Sequence, residues 1–317
     1  INFYMKKKKN KILVSAIPLV PIFDQFKKYF DKNKYSIDLK KTDQYLNEFQ
    51  LSKIINKYDG VICGDDEFSK KVLSKAVNLK VISKWGTGIN SIDLDYAKRK
   101  KIRILNTPSA FSYSVATMAV GMILAYYRKI IENHTLIKKN IWPKPEGQTL
   151  LKKKIGVIGV GNIGKKIFQM LSGFETIDYA NDLKKINQSF LKKYKIKQVS
   201  KNKIFQNCDI IITASDLNKS SFHLINRRTL KKMKKNVLIV NISRGSLIDN
   251  DALIEFLKKN NNAGACLDVF EQEPLNKNSK FLSLKNCIFT SHNAFNTVNE
   301  VEKTHINTIN NILKILR

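Results

Sequence analysis

The sequence is poor in the residues that staple loops or hold metals. Its 317 residues include four cysteines, Cys63, Cys208, Cys266 and Cys287, each standing alone. No Cys-x-x-Cys pair and no cysteine–histidine cluster is present, which argues against a zinc centre and a disulfide framework. Reduced, buried thiols in a cytoplasm, and no metal, are the expectation. Arginine is scarce as well, seven against 50 lysines. No apolar run approaches the roughly 20 residues that a membrane-crossing helix needs. Internal repeats, low-complexity linkers and charged tails are likewise missing.

A net charge of +31 is the strongest compositional feature. A charge of this size can mark a nucleic-acid or anionic-membrane surface. Arginine, however, is the usual reader of phosphates and base edges, and it is what this chain lacks. The lysines are spread along the whole length beside many Asn and Ile. They read as a solvated surface, with neither nucleic acid nor membrane as partner. Such a field would still speed the arrival of anionic substrates. Apolar residues make up 43% of the chain, including 17 Phe and 11 Tyr, ample for a packed core, and the length favours two lobes.

At the N-terminus, Met5 is a candidate start after four extra residues. Its basic run, Lys6-Lys7-Lys8-Lys9, followed by apolar 12–23 mimics a secretion signal. Pro18 and Pro21 interrupt that run and no small-x-small cleavage site follows. A first strand over 12–16 accounts for it better. An amphipathic stretch through Phe23, Phe26, Tyr29 and Phe30 comes next, then strands at 61–63, 80–84 and 103–106. Between the first two of these lies a helix through Val72 and Leu73. This alternation predicts a parallel sheet covered by helices. Trp85-Gly86-Thr87-Gly88 closes the strand at 80–84. Ligands in such sheets bind beyond the carboxyl ends of strands, so the turn is either an anion cradle of N–H groups or an ordinary turn.

A helix is expected over about 112–131. Val115, Ala116, Met118, Ala119, Val120, Met122, Ile123 and Leu124 make it apolar on nearly every face, which predicts burial on all sides, between lobes or between subunits. Residues 132–150 read as an exposed arm. Strands at 196–199, 208–214, 237–243, 265–269 and 288–291 and a last helix over 298–316, packed back on the first lobe, complete the chain.

The centre of the sequence is Lys154-Ile155-Gly156-Val157-Ile158-Gly159-Val160-Gly161-Asn162-Ile163-Gly164. An apolar strand enters Gly-x-Gly-x-x-Gly and a helical pattern leaves it. Gly159 allows the tight turn, Gly161 lets backbone approach a pyrophosphate, and Gly164 lets helix and strand pack closely. The helix N-terminus, with Asn162 and Ile163 in its first turn, offers N–H groups to phosphate. Asp182 ends the following strand, 175–181, where a carboxylate would take the ribose hydroxyls and repel a 2′-phosphate. The reading is NAD rather than NADP.

Three ionisable residues stand at strand ends of this lobe: Arg244, Glu273 and His292. A guanidinium can grip a carboxylate in two places and polarise a neighbouring carbonyl. A histidine passes one proton near neutral pH, and a carboxylate behind it fixes the tautomer and favours imidazolium. Together they suit hydride transfer coupled to proton transfer at oxygen. Singly, each also reads as an exposed arginine, a helix-cap glutamate or a core histidine.

These motifs, in this order, resemble the D-isomer-specific 2-hydroxyacid dehydrogenases over about 60–300. The likeness rests on the run from Trp85 to Leu94, Asn106-Thr107-Pro108, Val157 to Gly164, Asn241 to Leu253, and Leu267 to Pro274. The resemblance implies an α/β chain of two doubly wound parallel-sheet lobes. A Rossmann NAD-binding domain, 107–292, would be inserted into a flavodoxin-like substrate domain, 1–106 with 293–317. It implies Arg244 as substrate-binding arginine, His292 as acid/base and Glu273, rather than Glu271, as its partner. Trp85, Gly86, Thr87 and Gly88 would hold the substrate carboxylate. Ala214, Ser215, Ile242, Ser243 and Asp268 would join the glycine loop and Asp182 around NAD. A homodimer built on the long helix and arm is implied too, with a small 2-hydroxy acid as substrate.

The chain departs from that family pattern at Phe111, at Thr117, and at Ala214-Ser215-Asp216, the last near the expected nicotinamide. NAD-sensing corepressors share the fold and form the alternative class; no peptide-docking or DNA-reading segment favours it. The general look is nearest to phosphoglycerate-dehydrogenase-like members. Yet Gly64-Asp65-Asp66-Glu67 puts three acids where a phosphate would want a cation. A small unphosphorylated 2-keto acid is therefore expected, with 3-phosphoglycerate as rival.

Overall fold

A computed structural model describes residues 9–317; Met5 and most of the basic run lie outside the described residues. The chain divides into two compact units, 1–111 with 297–317, and 112–296.

The first unit holds β1 (Asn10–Val14), β2 (Tyr35–Leu39), α1 (Glu48–Ser52), β3 (Gly60–Cys63), α2 (Lys70–Lys75), β4 (Val81–Lys84), α3 (Leu94–Arg99) and β5 (Arg103–Leu105). Its five strands are all parallel, in the order β2-β1-β3-β4-β5, the flavodoxin-like order. The central strands β3 and β4 are buried along their whole length, as strands covered on both faces must be. Ser69 and Asp93 cap α2 and α3 through their side chains, satisfying N–H groups left open by the helix start. The C-terminal helix, Val298–Leu316, closes one face. Its Leu316 and Ile312 come so near Gly60 that a Cβ there would meet them at 2.8 and 2.9 Å.

Two expectations for this unit need correction. β2 has no counterpart in the sequence reading, because Tyr-Ser-Ile-Asp-Leu is short and half polar; it is a sheet edge with a single strand neighbour. The amphipathic stretch after β1 winds as a ten-residue 3₁₀ segment, Val20–Tyr29, with Pro21 in its first turn. It still buries Val20, Phe23 and Phe26.

The second unit contains α4 (Ser112–Tyr127), α5 (Ile130–Ile137), β6 (Lys154–Ile158), α6 (Asn162–Leu171), β7 (Ile177–Asn181), α7 (Gln188–Lys193), β8 (Lys197–Gln198), α8 (Lys201–Asn207), β9 (Ile210–Thr213), α9 (Arg227–Leu230), β10 (Leu238–Asn241), α10 (Asn250–Lys259), β11 (Gly264–Leu267) and β12 (Cys287–Phe289). The sheet order is β12-β11-β10-β9-β6-β7-β8, all parallel. Strand order reverses between β6 and β9, the topological switch point where doubly wound sheets bind ligands. Both sheets are therefore doubly wound α/β, the second of Rossmann type.

The expected long helix over 112–131 is broken. Lys129 takes a left-handed φ of 54°, and α5 leaves α4 at 61°. α4 buries Val115, Ala116, Ala119, Val120, Met122 and Ile123, whereas α5 buries none of its residues. No single helix among the described residues is long and apolar enough to cross a membrane. All four cysteines are free thiols, three of them buried, and no metal-holding group of His, Cys, Asp or Glu occurs among the described residues.

Candidate active site

β6 delivers the glycine loop. Gly159 has φ +96°, and a Cβ there would lie 2.5 Å from Ser215 N and 2.6 Å from Ala214 C. Glycine is thus demanded both by the left-handed turn and by the close approach of the β9 loop. A Cβ on Gly164 would strike Gly159 O at 2.2 Å, so α6 can begin only against a bare backbone. Around Gly161 a Cβ would meet nothing within 4 Å. That open face lies at the N-cap of α6, which receives no side-chain cap. An uncapped helix start facing open space fits a pyrophosphate. Asn162 and Ile163 form the first turn of that helix.

Asp182 follows β7. Its Oδ2 accepts the Val160 N–H at 2.7 Å, and its Oδ1 accepts the Lys184 N–H, also at 2.7 Å. The carboxylate therefore pins the glycine loop, and each oxygen keeps lone-pair capacity for a ribose hydroxyl. On the other side of the switch point, Ser215 O accepts the Ser243 hydroxyl at 2.6 Å, tying the loops after β9 and β10 together. Ile242 between them is buried.

β10, β11 and β12 are adjacent and parallel, so the loops at their carboxyl ends emerge side by side. Arg244 leaves β10. Its Nη1 donates to Ser243 O at 2.7 Å, and its own carbonyl accepts from Asn241 Nδ2 at 2.9 Å. Asn241 is in turn held by Thr213 Oγ1 at 2.9 Å. At Gly245 a Cβ would fall 1.9 Å from the Phe270 carbonyl group, so the loops after β10 and β11 touch backbone to backbone.

His292 leaves β12 with φ 54°, a left-handed conformation costly for a non-glycine residue. Its Nδ1 lies 2.7 Å from Glu273 Oε2, while Glu273 Oε1 accepts the Phe270 N–H at 2.9 Å. Glu271, the rejected alternative, pairs instead with His223 Nε2 at 2.5 Å and caps α10 through the Asn250 N–H at 3.1 Å. The structure thus joins His292 to Glu273 and places Arg244 on the adjoining loop.

Asp268, expected near the cofactor, also has a structural role. Its side chain is 1% exposed and accepts from Thr290 Oγ1 (2.5 Å), Asn293 N (2.8 Å) and Ala294 N (3.1 Å), while its carbonyl accepts the His292 N–H (2.7 Å). It is the anchor of the His292 loop. No sequence pattern announced this, because the partners, one hydroxyl and two backbone N–H groups, lie 22 to 26 residues away.

In the first unit, Gly86 has φ +113°. Its N–H donates to Thr107 Oγ1 at 3.2 Å, and the Thr87 carbonyl accepts Asn106 Nδ2 at 2.7 Å. The departures fall into place locally: Phe111 packs on the Trp85 ring at 5.3 Å, and Thr117 bonds back to Tyr113 O.

The acidic loop after β3 requires correction. Asp66 is buried and accepts from Ser15 Oγ (2.6 Å) and Leu46 N (2.5 Å). Its carboxyl is raised above the ordinary range, chiefly by burial. Glu67 accepts the Glu48 N–H at 2.8 Å. Only Asp65 is exposed, and it pairs at 3.0 Å with Lys84, whose side chain is 4% exposed. The one exposed acid of the loop is thus countered by a lysine, Asp66 is buried and Glu67 is partly buried.

A profile described as D-isomer specific 2-hydroxyacid dehydrogenase, NAD binding domain, matches residues 120–294. A glyoxylate reductase from Thermofilum pendens is 33% identical over 84% of this chain and 81% of its own length. A hydroxypyruvate reductase from Thermotoga maritima is 34% identical over 88% and 92%. The chain belongs to the D-isomer specific 2-hydroxyacid dehydrogenase family. Among solved structures, the D-lactate dehydrogenase of Aquifex aeolicus complexed with NAD and lactic acid superposes with a TM-score of 0.85, at 25% identity over 95% of this chain and 94% of that one. The protein is accordingly an NAD-dependent oxidoreductase acting on CH–OH groups, and NAD fits the open, uncapped helix start at Gly161 and the carboxylate of Asp182.

Proposed function

We propose that this dehydrogenase interconverts a small D-2-hydroxy acid and its 2-keto acid, with Arg244, Glu273 and His292 as the reacting set. The carrying observation is the 2.7 Å bond between His292 Nδ1 and Glu273 Oε2. It commits Nδ1 to the carboxylate and so directs proton exchange with the substrate oxygen to Nε2. Bound NADH supplies the hydride. Arg244 polarises the carbonyl and pairs with the carboxylate, and Thr87 and Gly88 N–H groups, with Trp85 and Gly86 shaping the turn, take the carboxylate oxygens. Gly159, Gly161, Asn162, Ile163 and Gly164 cradle the pyrophosphate, Asp182 the ribose; Ala214, Ser215, Ile242, Ser243 and Asp268 line the nicotinamide end. In this reading 107–292 is the NAD-binding domain, and 1–106 with 293–317 the substrate domain.

The likeness to a glyoxylate reductase and a hydroxypyruvate reductase supports an unphosphorylated keto acid. So does the Asp65–Lys84 pair, which leaves no surplus cation on its loop. The test is kcat/KM, followed at the NADH absorbance, for glyoxylate, hydroxypyruvate, pyruvate and 3-phosphohydroxypyruvate. A preference above roughly tenfold for the phosphorylated compound, about 1.4 kcal/mol of transition-state binding, overturns the small-acid reading in favour of 3-phosphoglycerate. No turnover with any keto acid favours the corepressor class.

A homodimer is part of the same proposal. α5 and its arm expose Ile130, Ile131, Ile141 and, at 82%, Trp142, an apolar surface that a second copy would cover. Ile131→Glu with Trp142→Glu should yield monomers by light scattering. The free thiols suit the cytoplasm as its compartment.

A further inference from the structure

The C-terminal helix carries a buried histidine that the reacting set does not use. His305 is 1% exposed, between Phe26 (ring centroids 5.3 Å apart) and Trp85 (5.6 Å). Its Nδ1 accepts the Trp85 indole N–H at 3.0 Å. An accepting Nδ1 puts the ring proton on Nε2, and Nε2 is buried with no hydrogen-bond partner. Burial also holds the ring neutral, its pKa lowered to about 4. An orphaned buried N–H is destabilising, and Phe or Leu would fill the same space without it. What imidazole adds is the acceptor for Trp85.

Trp85 opens the turn that ends in Gly88. Its N–H donates to Cys63 O at 2.8 Å and its carbonyl accepts from Lys84 Nζ at 3.3 Å. The Phe111 ring packs against the indole at a tilt of 40°. With the indole fixed from the C-terminal helix, the turn is held at its side chain as well as its backbone. We propose that His305 is a positioning residue for substrate binding: through the Trp85 indole it fixes the turn whose Thr87 and Gly88 N–H groups receive the keto-acid carboxylate. This rests on the reading of that turn given above. Preorganised donors bind an anion without first being ordered, so the effect should fall on substrate affinity rather than on the chemical step.

The chain has two tryptophans, Trp85 and Trp142. In a Trp142→Phe background, emission reports Trp85 alone. In that background His305→Phe keeps an aromatic ring and removes the acceptor. It should shift the emission, raise KM for the best keto acid about tenfold, leave kcat within about threefold, and leave NADH affinity unchanged. His305→Gln, whose amide oxygen can accept the indole N–H, should recover most of the lost KM. Unchanged KM in His305→Phe, with shifted emission, overturns the proposal and leaves His305 a packing residue. If His305→Phe does not fold, Trp85→Phe removes the donor side of the same bond; unchanged KM there overturns the proposal equally. Thr87→Pro removes one turn N–H and separates the two readings. A raised KM in Thr87→Pro but not in His305→Phe refutes the positioning role alone, whereas an unchanged KM in Thr87→Pro refutes the carboxylate turn itself.

Discussion

Asp268 holds His292 in place through both its backbone and its side chain: its carbonyl accepts the His292 N–H at 2.7 Å, and its carboxylate gathers the N–H groups of Asn293 and Ala294. The left-handed φ of His292 is sustained by these bonds. Asp268→Ala would remove the acceptor from three donors, Thr290 Oγ1, Asn293 N and Ala294 N, of which only the Ala294 N–H is fully buried and costs roughly 1–3 kcal/mol when unsatisfied. The expected outcome is a lower melting temperature together with at least a tenfold fall in kcat. Calorimetry and steady-state kinetics on the purified variant check both, and unchanged kcat would show that the loop holds itself.

His292→Gln should lower kcat by about a hundredfold or more while NADH binding, followed by fluorescence, stays intact. The proton relay is lost but the glycine loop is untouched. Glu273→Gln should cost less in rate and move the pH profile of turnover toward acid, because a neutral amide no longer supports the imidazolium. A His292→Gln enzyme with near-native turnover would remove the histidine from the mechanism.

NAD(H) should be preferred over NADP(H) by on the order of a hundredfold, since the Asp182 carboxylate would repel a 2′-phosphate placed beside it. Asp182 also fixes the Val160 N–H. Asp182→Ala should therefore weaken NADH binding as well as relax the preference. Equal kcat/KM with NADPH in the native enzyme would show Asp182 to be a loop brace only.

The buried carboxyl of Asp178 gives a pH signature. Burial raises it to about 6, with Thr176 Oγ1, 2.8 Å away, pulling the other way. The native state thus holds this proton more tightly than the unfolded chain, so the contribution of Asp178 to stability is greatest below the unfolded value and declines as pH rises through about 4 to 6. The loss approaches roughly 3 kcal/mol above that window. Asp178→Asn should raise the melting temperature at pH 7.5 and flatten its pH dependence between 4 and 6. A variant less stable than the native protein at pH 7.5 would contradict this.

The two α/β sheets and the glycine loop were legible in the sequence because they depend on local chemistry. A parallel strand buried on both faces must be a short apolar run, and a turn that a backbone must approach closely must be glycine. The choice of Glu273 over Glu271 came from the likeness of Leu267–Pro274 to the family; folding showed its reason, since Glu271 is drawn off to His223 and the start of α10. Other features were out of reach. The acids of the loop after β3 can be counted in the sequence, but not that Asp66 is buried and held by Ser15 and Leu46 or that Lys84 answers Asp65. The break after Tyr127 depends on the left-handed conformation of one residue, Lys129, which residue types alone do not dictate. Asp268 and His305 act through partners distant in the chain, backbone N–H groups in one case and an indole 220 residues away in the other. Such bonds exist only once the strands are stacked in order and the last helix has returned to the first sheet, and so the tertiary structure alone decides them.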